Sequence, residues 1–174
     1  MNSSDSIKTF AAFGVLFTFI LGIILHFTYE LLGSNYYIGY FIPVNESVWE
    51  HLKLIFYAWV IYGIICYPLL KDQSYNYWLA IFLGTLCANL FIIIFFYTYS
   101  GAIGHPPLVL DILTFFIGCI IAAYIFYKVL TCPSKSNFYN LLGLFLLIIT
   151  GILFAYFTYH PLDIPLFVDW GSKS

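Results

Sequence analysis

Residues 75–100 read YNYWLAIFLGTLCANLFIIIFFYTYS and contain no charged side chain. An α-helix rises about 1.5 Å per residue, so about 20 apolar residues cross the hydrocarbon core of a bilayer. This stretch therefore predicts a transmembrane helix. The rest of the chain is similar, because 63% of its 174 residues are hydrophobic and only 8% are charged. A soluble domain carries about 25% charged residues, so a water-exposed surface is excluded for most of this chain.

Four further stretches meet the same criterion, and short polar or Pro- and Gly-containing breaks separate them. The five predicted spans are residues 8–33, 48–70, 75–100, 107–130 and 137–159. We therefore predict an all-α fold, a bundle of five transmembrane helices in one domain of residues 1–174. Residues 160–174 form a short non-spanning tail, because they are too few and too interrupted by proline to cross a bilayer.

The lysines predict the orientation of this bundle. Lys8, Lys71, Lys128 and Lys135 lie at breaks or span ends that share one side of a five-span protein, and positive loops stay cytoplasmic. We expect a multi-pass protein of the cell membrane with a cytoplasmic N-terminus and an extracytoplasmic C-terminus. The chain has no arginine and a net charge of -2, which excludes the basic patch that nucleic acid requires. The lipid bilayer is thus the expected partner.

Residues 45–51, NESVWEH, place two carboxylates and an imidazole at the start of the second span. Ser47 and Glu50 have the spacing of a helix capping box, and acidic residues in a first turn complement the helix dipole. Those structural roles leave His51 unexplained, since its charged form is disfavoured at a helix N-terminus. A neutral imidazole is the form that binds metal ions. Glu46 lies four residues before Glu50 and shares its helical face.

Other ionisable residues fall on the same predicted outer side. His26 and Glu30 are four apart near the end of the first span, and His26 lies about 10 Å below that end. Asp111 is in the first turn of the fourth span. The two remaining histidines, His105 and His160, flank the fourth and fifth spans. Ionisable groups within a membrane usually serve a function, although a His26–Glu30 hydrogen bond or a Glu30 side chain reaching the headgroups would also explain the first pair.

Together these residues predict a metal site that opens at the outer face. The candidate ligands are His26, His51, His105, Asp111 and His160, and the candidate catalytic carboxylates are Glu30, Glu46 and Glu50. A divalent metal fits this donor set, and zinc is favoured because it binds His and carboxylate and can activate water. The spacing matches no His-Glu-x-x-His signature, so the prediction depends on composition and sidedness.

The stretches HFTYE (residues 26–30) and NESVWEH resemble an uncharacterised family of small bacterial integral membrane proteins. That resemblance covers most of the chain and implies no established activity. In plan, although not in motif, the chain is also similar to membrane-embedded metal hydrolases that gather His and Asp on one side of a helical bundle.

Three functions are compatible with this sequence. The first is metal-dependent hydrolysis of a lipid-like substrate, whose acyl chain would suit the apolar bundle. The second is a transport or solute-binding subunit that captures a cation or small polar ligand. The third is a non-catalytic accessory membrane protein, in which the polar cluster only joins helix ends. The sequence leaves the oligomeric state open.

Overall fold

The computed structural model describes residues 3–71, 76–104, 107–133 and 136–171. Its five long helices are α1 (Ser3–Leu31), α2 (Val48–Leu70), α3 (Tyr77–Ile103), α4 (Leu108–Leu130) and α5 (Asn137–Tyr159). Each is long and apolar enough to cross a bilayer, and these described residues contain no β-strand. The predicted fold class, an all-α bundle of five transmembrane helices, is therefore confirmed.

The helix ends lie close to the predicted positions. Both α2 and α5 have the predicted bounds, and α4 begins one residue after Pro107, which is its N-cap. The first helix begins at Ser3 rather than Lys8, because Asp5 in its first turn complements the helix dipole. The third helix continues past Ser100 and ends where Gly104 adopts a φ of 86°. The α1 helix ends in a similar way at Gly33, whose φ is 71°.

The α2 helix is the centre of the bundle. In its most apolar window 56% of residues are buried, against 22% for α1 and for α5. The α1 helix packs on α2 and α4, and α3 packs on α4, α5 and α2. Large apolar side chains such as Phe13, Ile64 and Leu141 remain exposed on the outer surfaces of these helices, as expected for groups that face lipid.

Small residues permit close helix contacts in this bundle. A Cβ atom added at Gly143 of α5 would lie 2.7 Å from the carbonyl carbon of Trp78, at the start of α3. At the same contact, the Asn140 side chain accepts a hydrogen bond of 2.8 Å from the Trp78 backbone N–H. Close approach at small residues is the usual way in which helices associate in membranes.

One end of the bundle carries the end of α1, the start of α2 and the start of α4, and we refer to it as the cluster end. Lys8, Lys71 and Lys128 lie at the opposite end, near the start of α1 and the ends of α2 and α4. Residues 32–47 cross the cluster end in a loop that includes a short 3₁₀ turn, Ile38–Tyr40. The charged residues of the motif at residues 45–51 are therefore all at this end.

The C-terminal tail returns over the cluster end. A second 3₁₀ turn, Pro165–Phe167, packs on α2, and the Phe167 ring lies 4.9 Å from the Trp49 ring between centroids. Further on, Asp169 forms an isolated antiparallel bridge with Ser47. The Trp170 ring contacts Phe96 of α3, with 5.6 Å between centroids. The tail thus connects the start of α2 to the end of α3.

Candidate metal centre

His26, Glu46 and His51 meet at the cluster end, and each offers a ligand atom within 4.8 Å of the other two. His26 comes from the last two turns of α1, Glu46 from the loop before α2, and His51 from the first turn of α2. The Glu46 carboxylate lies between the rings, with Oε2 at 3.3 Å from His51 Nε2 and Oε1 at 3.9 Å from His26 Nε2. The rings themselves are 5.2 Å apart between centroids.

The N-cap of α2 determines the direction of the His51 ring. Ser47 Oγ accepts a hydrogen bond of 3.3 Å from the Glu50 backbone N–H, which caps the helix. The Ser47 carbonyl oxygen lies 2.9 Å from His51 Nδ1. Because a carbonyl can only accept, Nδ1 carries the proton and donates it. The other ring nitrogen of a neutral His51, Nε2, then presents a lone pair to the Glu46 carboxylate.

A lone pair and a carboxylate at 3.3 Å repel each other unless a cation lies between them. Two arrangements resolve this repulsion: His51 takes up a proton and forms an ion pair with Glu46, or a metal ion binds both groups. Hydrogen bonding to the His51 ring lowers the pKa of the Glu46 carboxyl, and the charge of His26 adds to this effect while partial burial opposes it. Glu46 is therefore ionised at neutral pH and available to either cation.

His26 supplies a second ring nitrogen at the same carboxylate. Its Nε2 faces the same carboxylate, and its Nδ1 is buried without a hydrogen-bond partner among the described residues. Two imidazolium rings with centroids 5.2 Å apart would repel each other, so simultaneous protonation of both histidines is disfavoured. A metal ion would accept the lone pairs of both rings at once.

The three side chains are close enough to hold one ion if they move together. Zinc binds His nitrogen and carboxylate oxygen at about 2.0–2.2 Å, so two ligand atoms on one ion lie about 3.3–3.6 Å apart. The His51–Glu46 contact has this value, but the three ligand atoms lie only within 4.8 Å of one another, so they would have to close by up to about 1 Å to hold one ion. Two His and one Glu leave a fourth position open, which is the ligand count of catalytic rather than structural zinc.

A cavity of about 460 Å³ extends from this cluster into the bundle. The three cluster residues and the Tyr99–Asp111 pair, in which the Tyr99 hydroxyl donates to the Asp111 carboxylate, supply the ionisable groups of its lining. Thr114 and Trp170 add a hydroxyl and an indole N–H. The other walls are mostly apolar and come from α1, α2, α3, α4 and Trp170 of the tail. A small polar region within an apolar cavity is the usual form of a small-molecule site.

A second cavity, of about 340 Å³, lies on the other side of Glu46 and His26. Residues of the loop before α2 line it together with Glu30, Tyr29 and Asp169. Its lining contains three carboxylates, those of Glu30, Glu46 and Asp169, so it carries negative charge. The candidate metal centre thus lies between an apolar cavity and an acidic one.

The structure places the other predicted carboxylates in different surroundings. Glu50 points away from the cluster into a buried ion pair with Lys53, with 2.5 Å between Oε2 and Nζ. It does not complete the predicted capping box, because the Ser47 N–H is taken by the Asn45 side chain instead. Glu30 lines only the acidic cavity, and His26 contacts Glu46 rather than Glu30. Asp111 lines the apolar cavity opposite the cluster.

Of the two remaining histidines, the structure describes only His160, and it is not part of this cluster. His160 is exposed at the end of α5, where its ring stacks on Tyr156 with 4.6 Å between centroids. Its Nδ1 lies 3.1 Å from the Tyr156 carbonyl oxygen. The predicted ligand His105 lies outside the described residues.

Sequence reasoning missed one residue of this region, Asp169. Its Oδ1 accepts hydrogen bonds from the backbone N–H groups of Glu46 (3.2 Å) and Gly171 (3.0 Å). The tail therefore positions the segment that carries Glu46. A contact between residues so far apart in the chain leaves no periodic or spacing signal in the sequence.

Five apolar helices define this chain as a polytopic integral membrane protein, with a His/Glu group that could hold a metal ion. It belongs to DUF6512, a family of unknown function whose family model matches residues 1–172. The resemblance to an uncharacterised family is thus confirmed. Neither the curated proteins nor the solved structures include a match to this chain.

Proposed function

We propose that the protein is a metal-dependent membrane hydrolase, in which His26, Glu46 and His51 hold a divalent ion, preferably zinc. The observation that carries this proposal is the convergence of three ligand atoms within 4.8 Å at one side of an apolar cavity of about 460 Å³. Three protein ligands leave a position for water, and zinc lowers the pKa of a bound water to about 7.

The surrounding residues supply the other parts of a hydrolytic site. Hydrolysis of an ester or amide adds water across the bond: the hydroxyl joins the acyl carbon, and the proton goes to the leaving oxygen or nitrogen. Asp111 lines the same cavity and is close enough to interact electrostatically with His51, so it is the candidate general base and proton carrier. Its partner, the Tyr99 hydroxyl, would orient that carboxylate.

The apolar walls favour a substrate with a hydrocarbon part over a purely polar one. The membrane face at which the site opens is also part of this proposal. The lysines at the opposite end of the bundle support a cytoplasmic location for that end and an extracytoplasmic location for the cluster.

Metal content tests the ligand set. The purified protein in detergent is stripped with a chelator, loaded with zinc, passed through a desalting column and measured by elemental analysis. We expect about one zinc per chain in the wild type and a large loss in His26→Ala, Glu46→Gln and His51→Ala, since each removes one of three ligands. His160→Ala is the matched control, because it removes an exposed histidine outside the cluster.

Equal zinc in the wild type and the three cluster variants would refute the site. Cobalt loading adds a geometric readout, because a tetrahedral ion absorbs visible light more strongly than an octahedral one. A zinc-binding protein that cleaves no acyl ester or amide substrate would retain the metal centre but overturn hydrolysis.

The acidic cavity favours a second function, the capture of a cation for binding or transport. Glu30, Glu46 and Asp169 would draw a cation from the aqueous side toward the cluster. The two functions differ in exchange: a catalytic ion stays bound during turnover, whereas a captured cation exchanges freely. Radioactive zinc that leaves the protein within seconds on dilution would favour capture.

A further inference from the structure

The apolar cavity is closed at its base by a contact between α1 and α4. Gly22 of α1 lies against the Phe115 ring, so that an added Cβ would be 2.8 Å from Cε1 of that ring. The Phe19 ring stacks on Phe115 with 5.9 Å between centroids. These contacts pack α1 closely against α4 at this level.

Above this base the same two helices line the cavity with exposed apolar side chains. The exposed fractions are 42% for Ile23 and 56% for Phe27 on α1, and 71% for Leu108 and 48% for Ile112 on α4. All four residues are part of the cavity lining. Because these four side chains are exposed and belong to both helices, we infer an opening of the cavity between α1 and α4, toward the region that the bilayer would occupy.

The depth of the cavity limits what it can enclose. Phe19 at its base and His26 at the cluster are seven residues apart on α1, which is about 10 Å of helix. A long acyl chain is longer than this, so its remainder must leave the cavity. The opening between α1 and α4 is apolar and supplies that path.

The charges around the cluster restrict the head group. The carboxylates of Glu46 and Asp111 line the apolar cavity, and Glu30 and Asp169 line the acidic cavity beside it. No lysine lines either cavity among the described residues. In the described part of the chain a phosphate or free carboxylate would meet no positive side chain here apart from the histidines, whereas a neutral or cationic head group would not be repelled.

We propose that the substrate is a membrane amphiphile, an acyl ester or amide with a neutral or cationic head group, which reaches the cluster laterally between α1 and α4. The inference rests on the proposed function in that the acyl carbonyl is placed at the metal centre. The first part of the acyl chain lies in the cavity, and the rest passes through the opening into the lipid. The head group faces the acidic cavity.

Photo-crosslinking in nanodiscs tests this inference independently of catalysis. Three probes carry a diazirine in one acyl chain: a monoacylglycerol (neutral), an acylcholine (cationic) and a lysophosphatidic acid (anionic). Labelled peptides are identified by mass spectrometry in zinc-loaded and in chelator-treated protein. We expect saturable labelling of residues 19–27 and 108–115, stronger with the neutral and cationic probes than with the anionic one.

Two variants of α4 provide a matched pair. Ile112→Trp fills the opening, and Ile120→Trp adds the same bulk at a residue of similar exposure (44%) that does not line the cavity. We expect Ile112→Trp to lower saturable labelling about tenfold, which corresponds to about 1.4 kcal/mol of binding free energy, and Ile120→Trp to leave it unchanged. Retention of zinc by both variants shows that they are folded.

Labelling spread evenly over the helix surfaces, or unaffected by Ile112→Trp, would overturn the lateral site. Preference for the anionic probe would overturn the assignment of the head group. Zinc binding without specific labelling refutes only this inference, whereas specific labelling without zinc binding refutes the metal centre and leaves the amphiphile site in place.

Discussion

Replacement of Lys53 by methionine tests how the cluster end of the bundle is held together. The Lys53 ammonium is fully buried and contacts four oxygen atoms: Glu50 Oε2 at 2.5 Å, and the Gly39 carbonyl, the Ile42 carbonyl and Thr158 Oγ1 at 2.9 Å each. It joins α2, α5 and the loop between α1 and α2 at one point. Methionine fills similar volume but donates no hydrogen bond.

The expected cost follows from what the substitution leaves behind. The Glu50 carboxylate, 2% exposed, would keep only the Val44 N–H (2.9 Å) and the Thr158 hydroxyl (3.0 Å) as donors. Breaking a buried ion pair by removing one partner costs about 3–5 kcal/mol, because the other charge stays buried. We therefore expect Lys53→Met to lower the free energy of unfolding by about 4 kcal/mol.

A double variant separates lost charge pairing from lost packing. In Glu50→Gln/Lys53→Met neither member of the ion pair leaves a charge buried, and the amide oxygen introduced by Glu50→Gln can still accept from the Val44 N–H. We expect the double variant to be more stable than Lys53→Met alone by at least about 1 kcal/mol.

The free thiols of the protein provide the assay. Cys66 and Cys119 are buried, whereas Cys132 is exposed and Cys87 is half-buried. After the accessible thiols are blocked in the folded protein, a thiol-reactive dye reports the exposure of the buried ones on heating, and unfolding in increasing sodium dodecyl sulfate gives the free energy. A free energy of unfolding of Lys53→Met within about 1 kcal/mol of the wild-type value would refute the reasoning. A loss that small is typical of a solvent-exposed ion pair, and it would mean that Glu50 is not left as a buried, unpaired charge. A double variant that is less stable than Lys53→Met would refute the electrostatic explanation.

Three further predictions concern packing, positioning and pH. Gly143→Ala should destabilise the protein by about 1–3 kcal/mol, because its Cβ meets the α3 backbone, whereas Gly151→Ala, whose Cβ would lie 3.8 Å from the nearest ring atom, should be neutral in the same unfolding assay. Asp169→Ala should weaken zinc binding about tenfold, because it frees the segment that carries Glu46, whereas Asp163→Ala, a change at an exposed residue of the same tail, should not. Equal zinc affinities of Asp169→Ala and the wild type, measured by chelator competition, would exclude a positioning role for Asp169. On acidification zinc should leave when the imidazoles take up protons and before Glu46 does, because the lowered pKa of Glu46 keeps that carboxylate ionised to a lower pH. Half-release only below about pH 4.5 in an equilibrium dialysis series would contradict this order.

The five helices could be predicted from the sequence because hydrophobicity over about 20 residues is a local property. Their ends at residues 48–70 and 137–159 match because polar residues or Pro lie beside both. The grouping of His26 with Glu46 and His51 was only partly predictable. Spacing paired His26 with Glu30 on one helix, but Glu46 of the next segment lies closer, and that depends on how α1 and α2 pack.

Glu46 and Glu50 are four residues apart, and the sequence predicts both as candidate catalytic carboxylates. Lys53 is the reason that their surroundings differ in the structure. Lys53 lies three residues after Glu50 on the buried face of α2, and its ammonium takes up that carboxylate. Glu50 in turn accepts from the Val44 N–H, which fixes the loop two residues before Glu46. Glu46 is left half-exposed, has no lysine partner among the residues that the structure describes, and is turned toward the two imidazoles.

The residues around the candidate centre therefore place its ligands before any ion binds. Ser47 caps α2 and holds the His51 ring through its carbonyl, and Asp169 holds the Glu46 backbone. Ligands placed in this way lose little conformational freedom on binding, which raises affinity. The repulsion between the His51 lone pair and the Glu46 carboxylate further raises the affinity for a cation, because a bound cation removes that repulsion. Without a metal ion, a proton at His51 would relieve the same repulsion. Zinc binding at neutral pH would therefore release that proton.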